Sequence, residues 1–321
     1  MTGNSSRSLK RSSVLVAGMA TMLAVGSSLH ARWIERGIPA DGQFITVEGV
    51  RIHYRDAGCG RPIVMIHGLG GQMRNFDYGL LDRLIGKHRL ILIDRPGSGY
   101  SQSAGTSDIE TQARVIAGVI AKLGLHRPLV VGHSLGGAVA LALALAHPDH
   151  VGRLALICPL TLSQSDRPSA FRALEISSPL IRSLVAQTVA TPASLLGRAR
   201  QAELIFSPDP VPDDFGVRGG GNLISRPRAF AAASADYAMI PSSIGRLEMR
   251  YSELKTPTAV LFGRDDAILD PAVHGDRFIG TVPSATLELI DGGHMILVTR
   301  PDAVADWISR QASKLATGLA S

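Results

Sequence analysis

The chain has 321 residues, 45% of them hydrophobic, with 34 glycines, which is ample for one large α/β domain and unlike a disordered or collagenous chain. Its net charge is +6, with Arg7, Lys10 and Arg11 supplying half of the excess. No basic run exceeds two residues and no basic stripe alternates with aromatics, so no nucleic-acid partner is expected.

Residues 12–31 contain no Asp, Glu, Lys or Arg, and their core, Val14 to Gly26, is apolar or small. Three cations precede them, the layout of a secretory signal or a signal anchor. The apolar core is shorter than the ~20 residues a spanning helix prefers, though the flanking serines bring it near the lower limit. Residues 1–39 are expected to form an uncleaved membrane anchor and linker. Cations on the N-terminal side favour an N-in orientation, with the rest of the chain extracytoplasmic. Cleavage after Ser27 or Ser28, giving a secreted or periplasmic protein, is the alternative.

Phe44 to Asp56 alternates apolar and polar residues on either side of Glu48-Gly49 and reads as an antiparallel hairpin. Six short apolar runs follow: Pro62–Ile66, Arg89–Ile93, Leu129–Val131, Leu154–Ile157, Thr258–Phe262 and Thr286–Ile290. Such runs suit strands buried on both faces. Helical spacing marks Asn75–Ile85, Asp108–Leu123, Leu135–His147 and Pro301–Leu315 between and after them. The alternation predicts an α/β fold: a mostly parallel eight-stranded sheet with helices on both faces. It is interrupted once. Residues 161–250 have no comparable strand, ten Arg, eight acids and no Lys. Ninety residues are too many for a structureless loop, so they read as an inserted helical lid. The core is then 40–160 and 251–321.

The chemistry centres on Gly132-His133-Ser134-Leu135-Gly136, between a buried strand and an Ala/Leu helix. G-x-S-x-G at a strand-to-helix turn exposes the serine hydroxyl and aims backbone N–H groups at developing negative charge. Taken alone, the motif also fits a Gly-rich turn with a capping serine. A serine hydroxyl needs a base. His294 follows Asp291-Gly292-Gly293 directly after the last strand, where open α/β sheets place ligands. His133 adjoins the serine, but neighbouring side chains at such a turn diverge. His67, His147 and His274 read as structural or surface groups. The base needs an acid, and Asp265 and Asp266 follow the strand ending at Gly263. Cys59 and Cys158 are too few for a disulfide framework, and neither has zinc-ligand spacing to a histidine. No metal or cofactor is expected.

Over nearly all of residues 40–315 the chain resembles the α/β-hydrolase fold family, in its serine hydrolase branch. The family order of nucleophile, acid and histidine is met by Ser134, Asp266 and His294. Asp266, three residues past Gly263, is preferred over Asp265. Some members carry the acid one strand earlier, but that strand ends here at Cys158-Pro159. Ile66-His67-Gly68-Leu69-Gly70-Gly71 resembles the family's H-G loop, which implies an oxyanion hole from the N–H groups of Leu69 and Leu135. Asp94-Arg95-Pro96-Gly97-Ser98-Gly99-Tyr100-Ser101 resembles a family turn that is structural in most members. A serine at 134 argues against the haloalkane dehalogenase and epoxide hydrolase branches. The resemblance implies an esterase or lipase acting on a small-molecule ester or lipid, similar to membrane-anchored monoacylglycerol lipases. A carbon–carbon bond hydrolase, a cofactor-free haloperoxidase and a non-catalytic hydrolase-fold receptor are the alternatives.

Overall fold

The computed structural model describes residues 3–164 and 168–318. Eight strands run in chain order: β1 (Gln43–Val47), β2 (Val50–Ala57), β3 (Pro62–Ile66), β4 (Arg89–Ile93), β5 (Leu129–His133), β6 (Arg153–Ile157), β7 (Thr258–Gly263) and β8 (Ala285–Ile290). They form one sheet in the order β1-β2-β4-β3-β5-β6-β7-β8. β1 pairs antiparallel with β2 and β2 with β4, and every other pairing is parallel. Glu48 and Gly49 turn the hairpin with φ of 49° and 81°, the two positive values that match the twist of flanking strands. The central strands are buried because helices cover both faces; all of β5 and β7 is inaccessible.

Among the described residues, eleven α-helices accompany the sheet: α1 (Gly3–Gly37), α2 (Arg74–Asp77), α3 (Leu81–Leu84), α4 (Ile109–Lys122), α5 (Leu135–Ala146), α6 (Pro179–Gln187), α7 (Ala190–Phe206), α8 (Pro227–Glu248), α9 (Phe278–Thr281), α10 (Ile296–Thr299) and α11 (Pro301–Gly318). The single helix expected over Asn75–Ile85 is split into α2 and α3. Gly79 lies at the break, where an added Cβ would come within 2.9 Å of the Pro301 side chain. Asp108 caps α4 by accepting from Thr111 N, as its position implies. Between β6 and β7 there is no strand among the described residues, only α6, α7, α8 and short 3₁₀ turns. Cys59 and Cys158 are both free thiols.

The N-terminal segment differs from its expectation. It is one helix up to Gly37, with no extended linker before residue 37. Among the described residues, no helix is long and apolar enough to cross a membrane. Ser12, Ser13, Thr21, Ser27 and Ser28 dilute an apolar core that was short from the start. The end of α1 docks on the lid side. Ile34 and Ile38, one turn apart, bury against Leu223 and Tyr100. Glu35 pairs with the buried Arg226 at 2.8 Å, and His30 lies 3.1 Å from Ser225 Oγ. The other side of α1 exposes Leu15, Met19, Met22, Val25, Leu29 and Trp33.

Candidate active site

Ser134 stands between β5 and α5 with φ 55° and ψ −122°. A non-glycine residue held there costs about 1–3 kcal/mol, which the surrounding structure must offset. Its neighbours show why the turn needs glycine. A Cβ on Gly132 would come within 2.5 Å of Gly136 O, and one on Gly136 would collide with the carbonyls of Ile66 and His67. Ser134 is the residue before α5, yet its side chain makes no capping hydrogen bond. Its hydroxyl is therefore not spent on the helix end, which removes the capping-serine reading.

His294 sits on the turn after β8. Its Nδ1 lies 2.7 Å from Asp266 Oδ2. Asp266 is divided between two tasks: Oδ1 accepts the N–H groups of Ile268 and Leu269, both at 2.9 Å, which leaves Oδ2 for the imidazole. Burial alone would raise the Asp266 carboxyl. Attraction to His294, the hydrogen bond to it and the Leu269 and Ile268 amides reverse this, so its pKa falls below the usual carboxylate value. An ionised Asp266 fixes the proton of neutral His294 on Nδ1 and leaves Nε2 as the acceptor. Asp265 is exposed on the same loop, so the geometry separates the adjacent acids.

His133 braces this arrangement. Its ring lies 4.9 Å from that of His294, and its Nε2–H donates to the His294 carbonyl at 3.1 Å. Burial, then repulsion from the neighbouring His294 ring whenever that is protonated, lowers its pKa to about 3, so it stays neutral. The His294 turn is pinned from its other side by Asp209. Asp209 Oδ2 accepts from Gly293 N at 3.1 Å and Thr299 Oγ1 at 3.0 Å, and Oδ1 pairs with Arg300 at 2.7 Å. Sequence reading missed Asp209; its partners lie at least 84 positions away, and only the Ser207–Pro212 cluster marks the segment as special.

Leu69 and Leu135 line the same cavity as Ser134. Its volume is about 110 Å³, and its walls include Leu160 and Leu162 after β6, Phe171, Tyr237 and Ile240 of the lid, and Ile268 and Leu269 beside Asp266. Ser163 and Gln164 add polar groups, and no Lys, Arg, Asp or Glu lines it among the described residues. Cys158, Asp266 and His294 place one potential metal-ligand atom each within 4.8 Å. Two donors on one zinc at ~2.0 Å each would stand over 3 Å apart in tetrahedral geometry. The 2.7 Å Nδ1–Oδ2 contact therefore suits a shared proton and not an ion.

Residues 61–301 match the alpha/beta hydrolase fold family, and the chain belongs to it. Proteins similar in sequence include the 2-hydroxy-6-oxononadienedioate/2-hydroxy-6-oxononatrienedioate hydrolase of Comamonas testosteroni, 27% identical over 257 residues, 77% of this chain and 87% of that protein. The thermophilic esterase of Thermogutta terrifontis superposes with a TM-score of 0.67 at 24% identity, covering 85% of this chain and 99% of its own. A membrane phospholipase A, a bacterial virulence factor, superposes with a TM-score of 0.67 at 23% identity, covering 97% of this chain and 99% of its own. At these identities the two structures speak to the fold alone.

Proposed function

We propose that the chain is a serine hydrolase that cleaves carboxylic esters of small apolar or lipid-like acyl groups through an acyl-enzyme. The observation that carries this reading is Ser134 in the wall of an apolar cavity that Ile268 and Leu269 also line, the two residues whose amides hold the Asp266 carboxylate paired with His294. Ser134 Oγ attacks the ester carbonyl while His294 Nε2 accepts its proton. The N–H groups of Leu69 and Leu135 hold the tetrahedral oxyanion; removing one such donor costs about 3 kcal/mol of transition-state stabilisation. His294 returns the proton to the leaving alcohol, then activates the water that releases the acid. Asp266 orients the imidazole and stabilises its charge throughout.

The test is labelling by a fluorophosphonate probe, followed by turnover of p-nitrophenyl esters of graded chain length. Wild type should label and turn over, with preference for short acyl chains, and Ser134→Ala should do neither. Equal labelling of both proteins would refute the assignment. A second reading rests on similar proteins named 2-hydroxy-6-oxononadienedioate/2-hydroxy-6-oxononatrienedioate hydrolase and 2-hydroxy-6-oxo-6-phenylhexa-2,4-dienoate hydrolase: the same serine and histidine would serve carbon–carbon cleavage. Turnover of such a dienoate with no activity on any ester would favour it.

We also infer that α1 brings the enzyme to a membrane surface, lying on it without crossing. The exposed apolar row from Leu15 to Trp33, and the sequence cations Arg7, Lys10 and Arg11 before it, support this.

A further inference from the structure

Arg95 is wholly buried beneath the loop that carries Leu69. Its Nε donates to His67 O and its Nη2 to Gly68 O, both at 2.9 Å. Its Nη1 donates to Asp236 Oδ2 at 2.9 Å and to Gln112 Oε1 at 2.6 Å. Gln112 closes the ring by donating to the other oxygen of Asp236 at 3.2 Å. Meanwhile the Arg95 backbone N–H donates to His67 Nε2 at 3.0 Å. That leaves the proton of the neutral ring on His67 Nδ1, which lies 2.9 Å from Gly68 O. Gly71 N adds a third donor to the same carbonyl at 3.2 Å.

The Gly68 carbonyl and the Leu69 N–H are the two ends of one planar trans peptide, so they point in opposite directions. Donors that fix the carbonyl fix the amide as well. Arg95 lies on the carbonyl side, while Leu69 faces the cavity that Ser134 shares. A cation on the carbonyl also polarises the peptide and strengthens its N–H as a donor. The second proposed donor is built on the same plan without a charge. Ser134 O accepts from Gly137 N at 2.8 Å and Leu160 N at 3.0 Å, which turns Leu135 N–H the other way.

We propose that Arg95 is a positioning residue for the oxyanion hole, and that Asp236 of lid helix α8 keeps it in place, so that seating of the lid sets the strength of the Leu69 donor. This rests on the acyl-enzyme reading above. Asp236 is adjacent to Tyr237, and Ile240 follows one turn later; both line the cavity. One helix thus touches the substrate and, through Asp236, the group that activates it. A lid that rises withdraws its carboxylate and leaves a buried guanidinium short of its counter-charge.

The experiment compares wild type with Asp236→Asn and Arg95→Lys on a short p-nitrophenyl ester and its thiono analogue. Turnover is expressed per serine labelled to completion by a fluorophosphonate. A sulfur anion accepts hydrogen bonds poorly, so the oxo-to-thiono rate ratio reports the oxyanion hole and not the folded fraction. Both variants should lose about 10–100-fold in kcat per labelled serine, a fraction of the effect of deleting a donor outright. KM should stay within about threefold, and the oxo-to-thiono ratio should shrink with kcat. Should a single variant fail to fold, the double variant Arg95→Met/Asp236→Leu, which leaves no unpaired buried charge, carries the same measurement. Wild-type kcat per serine and an unchanged ratio would overturn the proposal. Loss of activity in these variants alongside an active Ser134→Ala would instead sink the serine hydrolase reading.

Discussion

Asp266 and Asp265 are neighbours with the same chemistry, and only their surroundings separate them. Asp266 is buried, gives one oxygen to two backbone amides and the other to His294. Asp265 projects into solvent. Asp266→Asn should therefore lower kcat by roughly 10³–10⁴-fold, because an amide can hold the imidazole in the wrong tautomer. Asp265→Asn should leave kcat within about twofold. Steady-state kinetics on one ester checks both, and a comparable loss from the two variants would show that the acid had been misassigned. The Asp266–His294 contact and the tight turn at Ser134 were legible in the sequence because each follows a strand end near a glycine. Arg95 was not legible as more than part of a turn. Its partners His67, Gly68, Gln112 and Asp236 lie 28, 27, 17 and 141 positions away, and no local spacing encodes such a meeting.

Among the elements, strands were the easiest to read, since a continuous apolar run of five residues between polar breaks has few alternatives in an α/β chain. Helix limits were harder. At the break between α2 and α3, Gly79 packs against Pro301 from the far end of the chain, a meeting that no periodicity in the segment foretells. For α1 the apolar stretch was evident, but not that Ile34, Glu35 and Ile38 would fasten its end to Leu223, Arg226 and Tyr100. Its outward row can be tested as an element. The full chain should float with phosphatidylglycerol-containing vesicles, and more weakly with vesicles of phosphatidylcholine alone. Met22→Asp combined with Leu29→Asp should abolish flotation while leaving ester turnover in solution unchanged. Flotation undiminished in the double variant would rule out this face as the membrane contact.

At the scale of the whole molecule, buried histidines dictate how stability answers to pH. Burial, with the Arg95 charge, lowers His67 to about 3; burial lowers His274 to about 4; and His133 lies at about 3. In the unfolded chain all three take up protons near pH 6.5. Between those limits the unfolded state binds as many as three more protons than the folded one, so stability is greatest above pH 6.5 and falls as pH drops. Asp94 and Asp266, both with lowered pKa values, extend the loss at more acid pH as they are protonated. Urea midpoints should decline steadily from pH 7 to pH 5. A midpoint flat across that range would contradict the burial of these rings.

Cys158 directly follows β6 with its Sγ close to both the Asp266 carboxylate and the His294 ring; one ligand atom from each lies within 4.8 Å of the others. Its φ is 42°, a left-handed conformation that aspartate adopts more readily than most side chains. Two adjacent strand ends therefore reach the same imidazole, and only one of them carries an acid in this chain. A second carboxylate at position 158 would lie against Asp266, where two carboxyl groups cannot both ionise, so the uncharged thiol keeps this buried pair to a single acid.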